Sequence, residues 1–259
     1  MTDVFRKIAI ILVAIGIIIC LGIAGHKIYV DWSAEKEFNV LQQEMAAADN
    51  HGDDNAPVEN AYLLKDSDGA MLYTPPESLL ELMAEHPDVK GWIRIKDTKI
   101  DYPILQNAED DLYYMHRDIN GKYSNPGCIF LKMGHNLDGY ALHTLFGHHM
   151  KNGTMFKGIE KYYDKKARGL DAEYAAAHSD IVVLTANEMI VLEPVACCQS
   201  VEDKDFYQVI ESQSAAGSML SAKTGTELSA GNYFVLVTCA YYTKDARTYF
   251  ICRETKRYR

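Results

Sequence analysis

Three side chains capable together of acyl-transfer chemistry stand in the second half of the chain. Cys239 ends the apolar run Tyr233-Phe-Val-Leu-Val-Thr-Cys239, which is patterned as a buried strand. Ala240 to Ala246 read as a loop, and Arg247 opens a return strand through Arg253. Residues at the two mouths of a hairpin loop are cross-strand neighbours, so Cys239 and Arg247 are expected on one face at the rim of a sheet. A guanidinium beside a thiol favours the thiolate, the nucleophilic form. Cys252 lies five positions beyond Arg247, and strand alternation turns it to the other face. A Cys239–Cys252 disulfide would therefore need a bulge or a register shift. A thiol nucleophile also needs a proton shuttle, and histidine is the usual one. Leu145-Phe-Gly-His-His-Met150 supplies it at the end of another strand, with Gly147 suited to a sharp turn and His148 at the rim. Taken singly, each residue has a plainer reading: a surface histidine, an inert core thiol, a solvated arginine.

The elements around these residues must bring them together. A short helix is expected from Pro76 to about Glu85. Strands are expected at Gly91–Lys96, Ile100–Leu105, Gly127–Lys132, Leu142–Gly147, Ile181–Thr185 and Met189–Gln199, before the final pair. Short helices are expected at Thr154–Tyr163 and Asp171–Ala177, and a longer one at about Asp205–Ala222. This is a mostly β chain with helical insertions, about eight short strands forming a barrel or a sandwich.

The chain has 259 residues, with 26 Lys+Arg against 36 Asp+Glu, a formal charge of −10. That balance speaks against a nucleic-acid partner, which needs a basic face. An apolar fraction of 48% is too high for a disordered chain. Six cysteines are too few for a disulfide-stapled scaffold, and no metal-binding pattern occurs, so neither metal nor cofactor is expected.

Ile8 to Gly25 contain no charge over eighteen positions, close to the length of a membrane span. Arg6 and Lys7 precede the run and acidic residues follow it, which orients residues 1–7 to the cytoplasm and the rest outward. A cleaved signal peptide is the competing reading, with Gly22-Ile23-Ala24 as the cleavage region, but the run is long for one. Residues 26–60 are expected as a juxtamembrane helix and linker, the stretch Asp49–Asn60 being acidic and turn-rich, and residues 61–259 as the folded domain. Outside the span five cysteines remain, an odd number, so at least one thiol is left unpaired within the chain.

Gly147-His-His-Met-Lys-Asn-Gly-Thr-Met-Phe156 resembles the histidine motif of the class B sortases. Val235-Leu-Val-Thr-Cys239 and Asp245-Ala-Arg247 resemble their cysteine and arginine motifs, and Trp92–Leu105 their opening strand pair. Two positions depart from the pattern: His149 stands where Asn is usual, and Val235 where the first Thr of Thr-Leu-x-Thr-Cys is usual. The resemblance runs from about Leu79 to Arg253. It implies an eight-stranded barrel with N-terminal helices and a long helix before the cysteine strand. It also implies a cysteine transpeptidase acting through Cys239, His148 as imidazolium, and Arg247, with His149, Thr238 and Asp245 in supporting places. Such an enzyme cleaves secreted proteins after the Thr of a C-terminal Asn-Pro-x-Thr-like sorting motif and joins them to an amine of a peptidoglycan precursor. Three alternatives accompany this reading. One is polymerisation of pilins through a Lys acceptor, another a non-catalytic tethered module. The third, a papain-like peptidase, places its Cys before its His, the reverse of the order here.

Overall fold

A computed structural model describes residues 2–47 and 56–259. Helix α1 (Thr2–Ala47) is continuous over 46 residues, where the sequence suggests an apolar span and a separate amphipathic helix. No proline interrupts this stretch, and residues 33–47 are rich in Ala, Glu and Gln, all good helix formers. Among the described residues it is the one helix long and apolar enough to cross a membrane. Its C-terminal part turns a stripe of Ala34, Phe38 and Met45 into the core. Most of the expected linker at 49–60 lies outside the described residues. Its last residues open a 3-10 helix, Val58–Tyr62, whose Val58 N–H donates to Asp180 Oδ2 at 2.8 Å.

A small hairpin, β1 (Leu63–Lys65) and β2 (Met71–Tyr73), precedes helix α2 (Glu77–Glu85), for which Pro76 is the N-cap. Next come β3 (Val89–Ile95), β4 (Asp101–Leu105), β5 (Ile129–Leu131) and β6 (Leu142–Phe146). The expected helix at Thr154–Tyr163 is a 3-10 helix, Phe156–Tyr162, followed by the minor pair β7 (Tyr163–Asp164) and β8 (Gly169–Leu170). Helix α3 (Ala172–Ala177) is capped by the Asp171 carboxylate, which accepts from Tyr174 N–H. Strands β9 (Ile181–Leu184) and β10 (Met189–Val201) follow.

The single helix expected at about 205–222 is two elements, a 3-10 turn at Lys204–Tyr207 and α4 (Gln213–Thr224). The division is chemical. Ser212 caps α4 by accepting from Ala215 N–H, and Gly225 closes it in the left-handed conformation. Strands β11 (Tyr233–Cys239) and β12 (Ala246–Tyr258) end the chain.

Eight strands close into a barrel in the order β10-β12-β11-β6-β5-β4-β3-β9. Closure leaves no sheet edge open. The pairs β4·β5 and β6·β11 are parallel; the other neighbours are antiparallel. Along β11, Phe234 and Leu236 join the main core, while Tyr233, Val235 and Val237 join a second layer with Phe206, Ala216 and Leu220. Both faces of the strand are covered, which is why its sequence is an unbroken apolar run.

Candidate active site

Cys239 and Arg247 are directly paired across β11 and β12. The loop between them closes with Ala240 N–H donating to Ala246 O at 2.8 Å. Asp245 takes a left-handed backbone (φ 57°), and its carbonyl accepts from Glu202 N–H at 2.9 Å. Its side chain is exposed, and its backbone shapes the turn. Among the described residues the Arg247 guanidinium donates only to the neighbouring Ala246 carbonyl, at 3.1 Å. It is half-buried and keeps most of its five donors for something else.

The histidine arrives by the parallel pairing of β6 with β11. Phe146 lies opposite Val237, Gly147 N–H donates to Val237 O at 3.1 Å, and Thr238 Oγ1 donates to Gly147 O at 2.8 Å. One residue further on, His148 stands beside Cys239 at the same rim. The Thr238 hydroxyl is thus engaged by the Gly147 backbone. Gly147 is required by packing: a Cβ there would lie 2.4 Å from Ile129 Cδ1 and 2.7 Å from Phe156 Cδ2. A cleft of about 150 Å³ carries Cys239, His148 and Arg247 in its wall, together with Met115, Phe146 and Val237. Tyr207, from the 3-10 turn after β10, packs edge-on to Phe146 at 5.0 Å.

His148 Nε2 lies 2.8 Å from the carbonyl of Met115, in a 3-10 turn at Tyr113–His116. A carbonyl only accepts, so Nε2 carries the hydrogen and the neutral ring keeps its lone pair on Nδ1. The Met115 carbonyl is placed by Gly127 (φ 57°), whose missing side chain lets that backbone approach; a Cβ would sit 2.2 Å from the oxygen. Burial, and after it the charge of His116 with its ring 4.9 Å away, hold the His148 imidazole below its ordinary pKa against the opposing Met115 hydrogen bond. Burial thus disfavours the charged form of this ring.

His149 has a different setting. Its Nε2 lies 2.6 Å from Glu160 Oε2, and Lys157 holds the other oxygen of that carboxylate at 2.5 Å. Tyr241, from the loop after Cys239, packs edge-on to its ring at 4.9 Å. These contacts fasten the histidine loop to the 3-10 helix behind it and leave His149 out of the wall of the cysteine cleft.

All six cysteines are free, so Cys239 and Cys252 are unlinked, as strand alternation requires. Cys128, Cys197 and Cys252 are buried and their thiols are pushed well above the ordinary range by desolvation; Cys198 is raised to about 12 by the same cause. These four are core residues rather than nucleophiles. Among the described residues no group of three or more His, Cys, Asp or Glu is placed to hold a metal. The sequence gives no sign of Met115, His116 or Tyr207. All three are brought in by connections between strands, which carry no periodicity.

No family model matches the chain. It is 38% identical over 90 residues to sortase B of Listeria monocytogenes, a stretch covering 34% of this chain and 36% of that protein. It is 33% identical over 76 residues to sortase B of Staphylococcus aureus, covering 29% and 31%. The matched stretch thus spans about a third of each relative's length. The fold matches more widely. A sortase B structure from Bacillus anthracis, in complex with AAEK1, aligns with TM-score 0.64 at 19% identity, over 88% of this chain and 99% of that one. A Staphylococcus aureus sortase B–substrate complex aligns with TM-score 0.63 at 17% identity, over 87% and 98%. The chain thus shares local sequence identity with two sortase B proteins, and its closed eight-stranded barrel has the fold of the sortase B structures.

Proposed function

We propose that the chain is a membrane-anchored cysteine transpeptidase in which Cys239 is the nucleophile, His148 the proton shuttle and Arg247 the oxyanion donor. The observation that carries this reading is the direct pairing of Cys239 with Arg247, with His148 delivered to the same cleft by the next strand. In acylation, neutral His148 accepts the thiol proton as Cys239 Sγ attacks the carbonyl carbon of the Thr in a sorting motif. The negative charge that develops on that oxygen is met by Arg247, which has donors to spare because the fold does not use them. The imidazolium then protonates the departing amine, and the C–N bond breaks to leave a thioester. In the second half, His148 takes a proton from an incoming amine, whose nitrogen attacks the thioester and expels the thiolate. Holding one acyl group on sulfur divides a difficult exchange into two easier steps.

The likeness to sortase B favours an Asn-Pro-x-Thr-like motif on a secreted protein and a cell-wall precursor amine as acceptor. Residues 8–25 are read as the span that anchors residues 61–259 outside the cell, near both substrates. His149 is assigned a positioning part through Glu160, and Thr238 one through Gly147.

Quenched peptides with Asn-Pro-x-Thr or Leu-Pro-x-Thr-Gly cores test the activity. Cleavage after Thr, diversion to a ligated product when an amine is added, and loss of both in Cys239→Ala are expected. Cleavage that persists in Cys239→Ala would contradict the assignment.

A further inference from the structure

A second histidine stands against the proton shuttle. His116, the residue after Met115, brings its ring to 4.9 Å from that of His148, centre to centre and tilted by 31°. The two come from different parts of the chain. His148 follows strand β6, and His116 ends the 3-10 turn at Tyr113–His116. Their settings differ as well. His148 is half-buried, with one nitrogen committed to the Met115 carbonyl, whereas His116 is exposed.

The fold fixes where His116 sits. Its carbonyl accepts from Ser124 N–H at 3.0 Å, and Arg117 bridges Tyr123 in an antiparallel pair. The Tyr123 ring stacks with it at 6.4 Å, and its Nδ1 lies 3.4 Å from the Asn125 carbonyl. A carbonyl only accepts, so Nδ1 carries a hydrogen in either charge state, and Nε2 takes up the second proton. Other ionisable groups surround the pair. Cys239 and Arg247 share the cysteine cleft with His148. Glu35 of α1, with His149 and Lys151 of the histidine loop, share a neighbouring groove with both rings. His149 is engaged by Glu160 and Lys157, and Arg117 lies over the Tyr113 ring at 4.6 Å.

We propose that His116 is the electrostatic partner of the proton shuttle: its imidazolium opposes a second positive charge on His148, making the catalytic ring a weaker base and, once it holds the thiol's proton, a stronger acid. This rests on the transpeptidase reading above. Like charges about 5 Å apart repel even through water, and their half-buried side is screened least. His116 lies outside the wall of the cysteine cleft, so it acts through His148 and not on the reacting atoms. In acylation the thiol proton passes to His148 as Sγ bonds the carbonyl carbon. The same proton passes to the amine nitrogen as the C–N bond breaks, and a stronger acid hastens that second transfer. Two consecutive residues of one turn thus act on the ring with opposite signs. The Met115 carbonyl orients it and favours its charged form, while the His116 side chain opposes that form. Without His116, His148 binds its proton more tightly, and the neutral ring that starts acylation is lost at a higher pH.

The test uses the full chain in detergent micelles, its histidines labelled with carbon-13 at Cε1 and the His148 signal assigned by its loss in His148→Gln. At low ionic strength His116→Asn should raise the midpoint of the His148 titration by at least about half a pH unit, the effect of one charge about 5 Å away in water. His116→Arg keeps the charge and should leave the midpoint at the native value or below it. Salt at about 1 M, where the Debye length is about 3 Å, should lift the native midpoint and hardly move that of His116→Asn. A midpoint unchanged in His116→Asn would overturn this inference, whatever the activity does.

The second arm follows thioester formation from a sorting peptide against pH. In His116→Asn the acid limb should move up by the same interval as the midpoint. On that limb the rate should fall about threefold, the factor that half a pH unit sets, and at alkaline pH it should match the native chain. His116→Arg should restore the native limb. A limb that stays in place while the midpoint moves would take His148 out of the proton transfer, against the transpeptidase reading and the catalytic half of this inference together. A native chain that forms no thioester would contradict that reading, and the titration would still report whether the two rings are coupled.

Discussion

The two ends of β12 carry arginines treated in opposite ways. Arg257, near the C-terminal end, is saturated. It donates to Glu188 at 2.5 Å, to both oxygens of Glu254 at 2.9 and 2.7 Å, to Asp138 at 3.1 Å and to the Leu137 carbonyl at 3.1 Å. Arg259 adds a bond to the other Glu188 oxygen at 2.6 Å. Arg247, at the opposite end, has one bond to a backbone carbonyl and an open cleft before it. The first arginine closes the barrel by tying β12 to the turn before β10 and the loop before β6. The second is held by its strand and, among the described residues, keeps free donors in a cleft it shares with a thiol. A folded protein ordinarily satisfies its partly buried charges, so the unsatisfied one is where a ligand's oxygen is expected.

Exchanging the two arginines' fates is the strongest way to break this comparison. Arg247→Ala should lower kcat/KM for the sorting peptide by about 10²–10³-fold, the usual effect of losing an oxyanion donor. Its thermal midpoint should stay close to that of the native chain. Arg257→Met should do the reverse. It strands Glu188, whose side chain is 8% exposed, with Arg259 alone, and breaking such a buried pair costs about 3–5 kcal/mol in denaturant titration. Peptide cleavage per folded molecule should be unchanged.

Gly147→Ala falls next in size. The new methyl meets Ile129 and Phe156, overpacking worth about 1–3 kcal/mol, and the displaced His148 should lower kcat more than it changes KM.

Smaller still is the conservative exchange Arg247→Lys. It keeps the charge and loses the fork, so it should restore only part of the rate lost in Arg247→Ala.

The slightest effect concerns two histidines near the two ends. His143 is lowered to about 4, chiefly by burial, while its hydrogen bond to the Asn136 carbonyl pulls the other way; His148 is lowered less far. Both folded values lie below the ordinary 6.5, so the unfolded chain binds more protons and stability falls as pH drops from about 6.5 toward 4. His143→Phe should flatten that slope in urea midpoints measured across the window, and an unchanged slope would remove His143 as its source.

The pairing of Cys239 with Arg247 was legible because it is local: seven loop residues between two apolar runs define a hairpin and its register. The placement of His148 was not, because β6 and β11 are parallel neighbours far apart in the chain, one ending at Phe146 and the other starting at Tyr233, and no local pattern encodes that pairing. The motif resemblance supplied what spacing could not. The end of β12 was also missed. Glu254–Tyr258 looks like a polar tail, yet it pairs with Met189–Leu192 of β10, its charges being taken up by Glu188 and Glu59. The divided helix near 205–222 was misread because Phe206, Tyr207 and Ile210 mimic a helical stripe, although they pack from a 3-10 turn and a loop.

Intact mass spectrometry of the chain incubated with a sorting peptide tests the central claim most directly. The account predicts an adduct equal to the peptide fragment ending in Thr, mapped to Cys239, absent in Cys239→Ala, and discharged by an added amine. No adduct with peptides that are cleaved, or an adduct on any other cysteine, would contradict it.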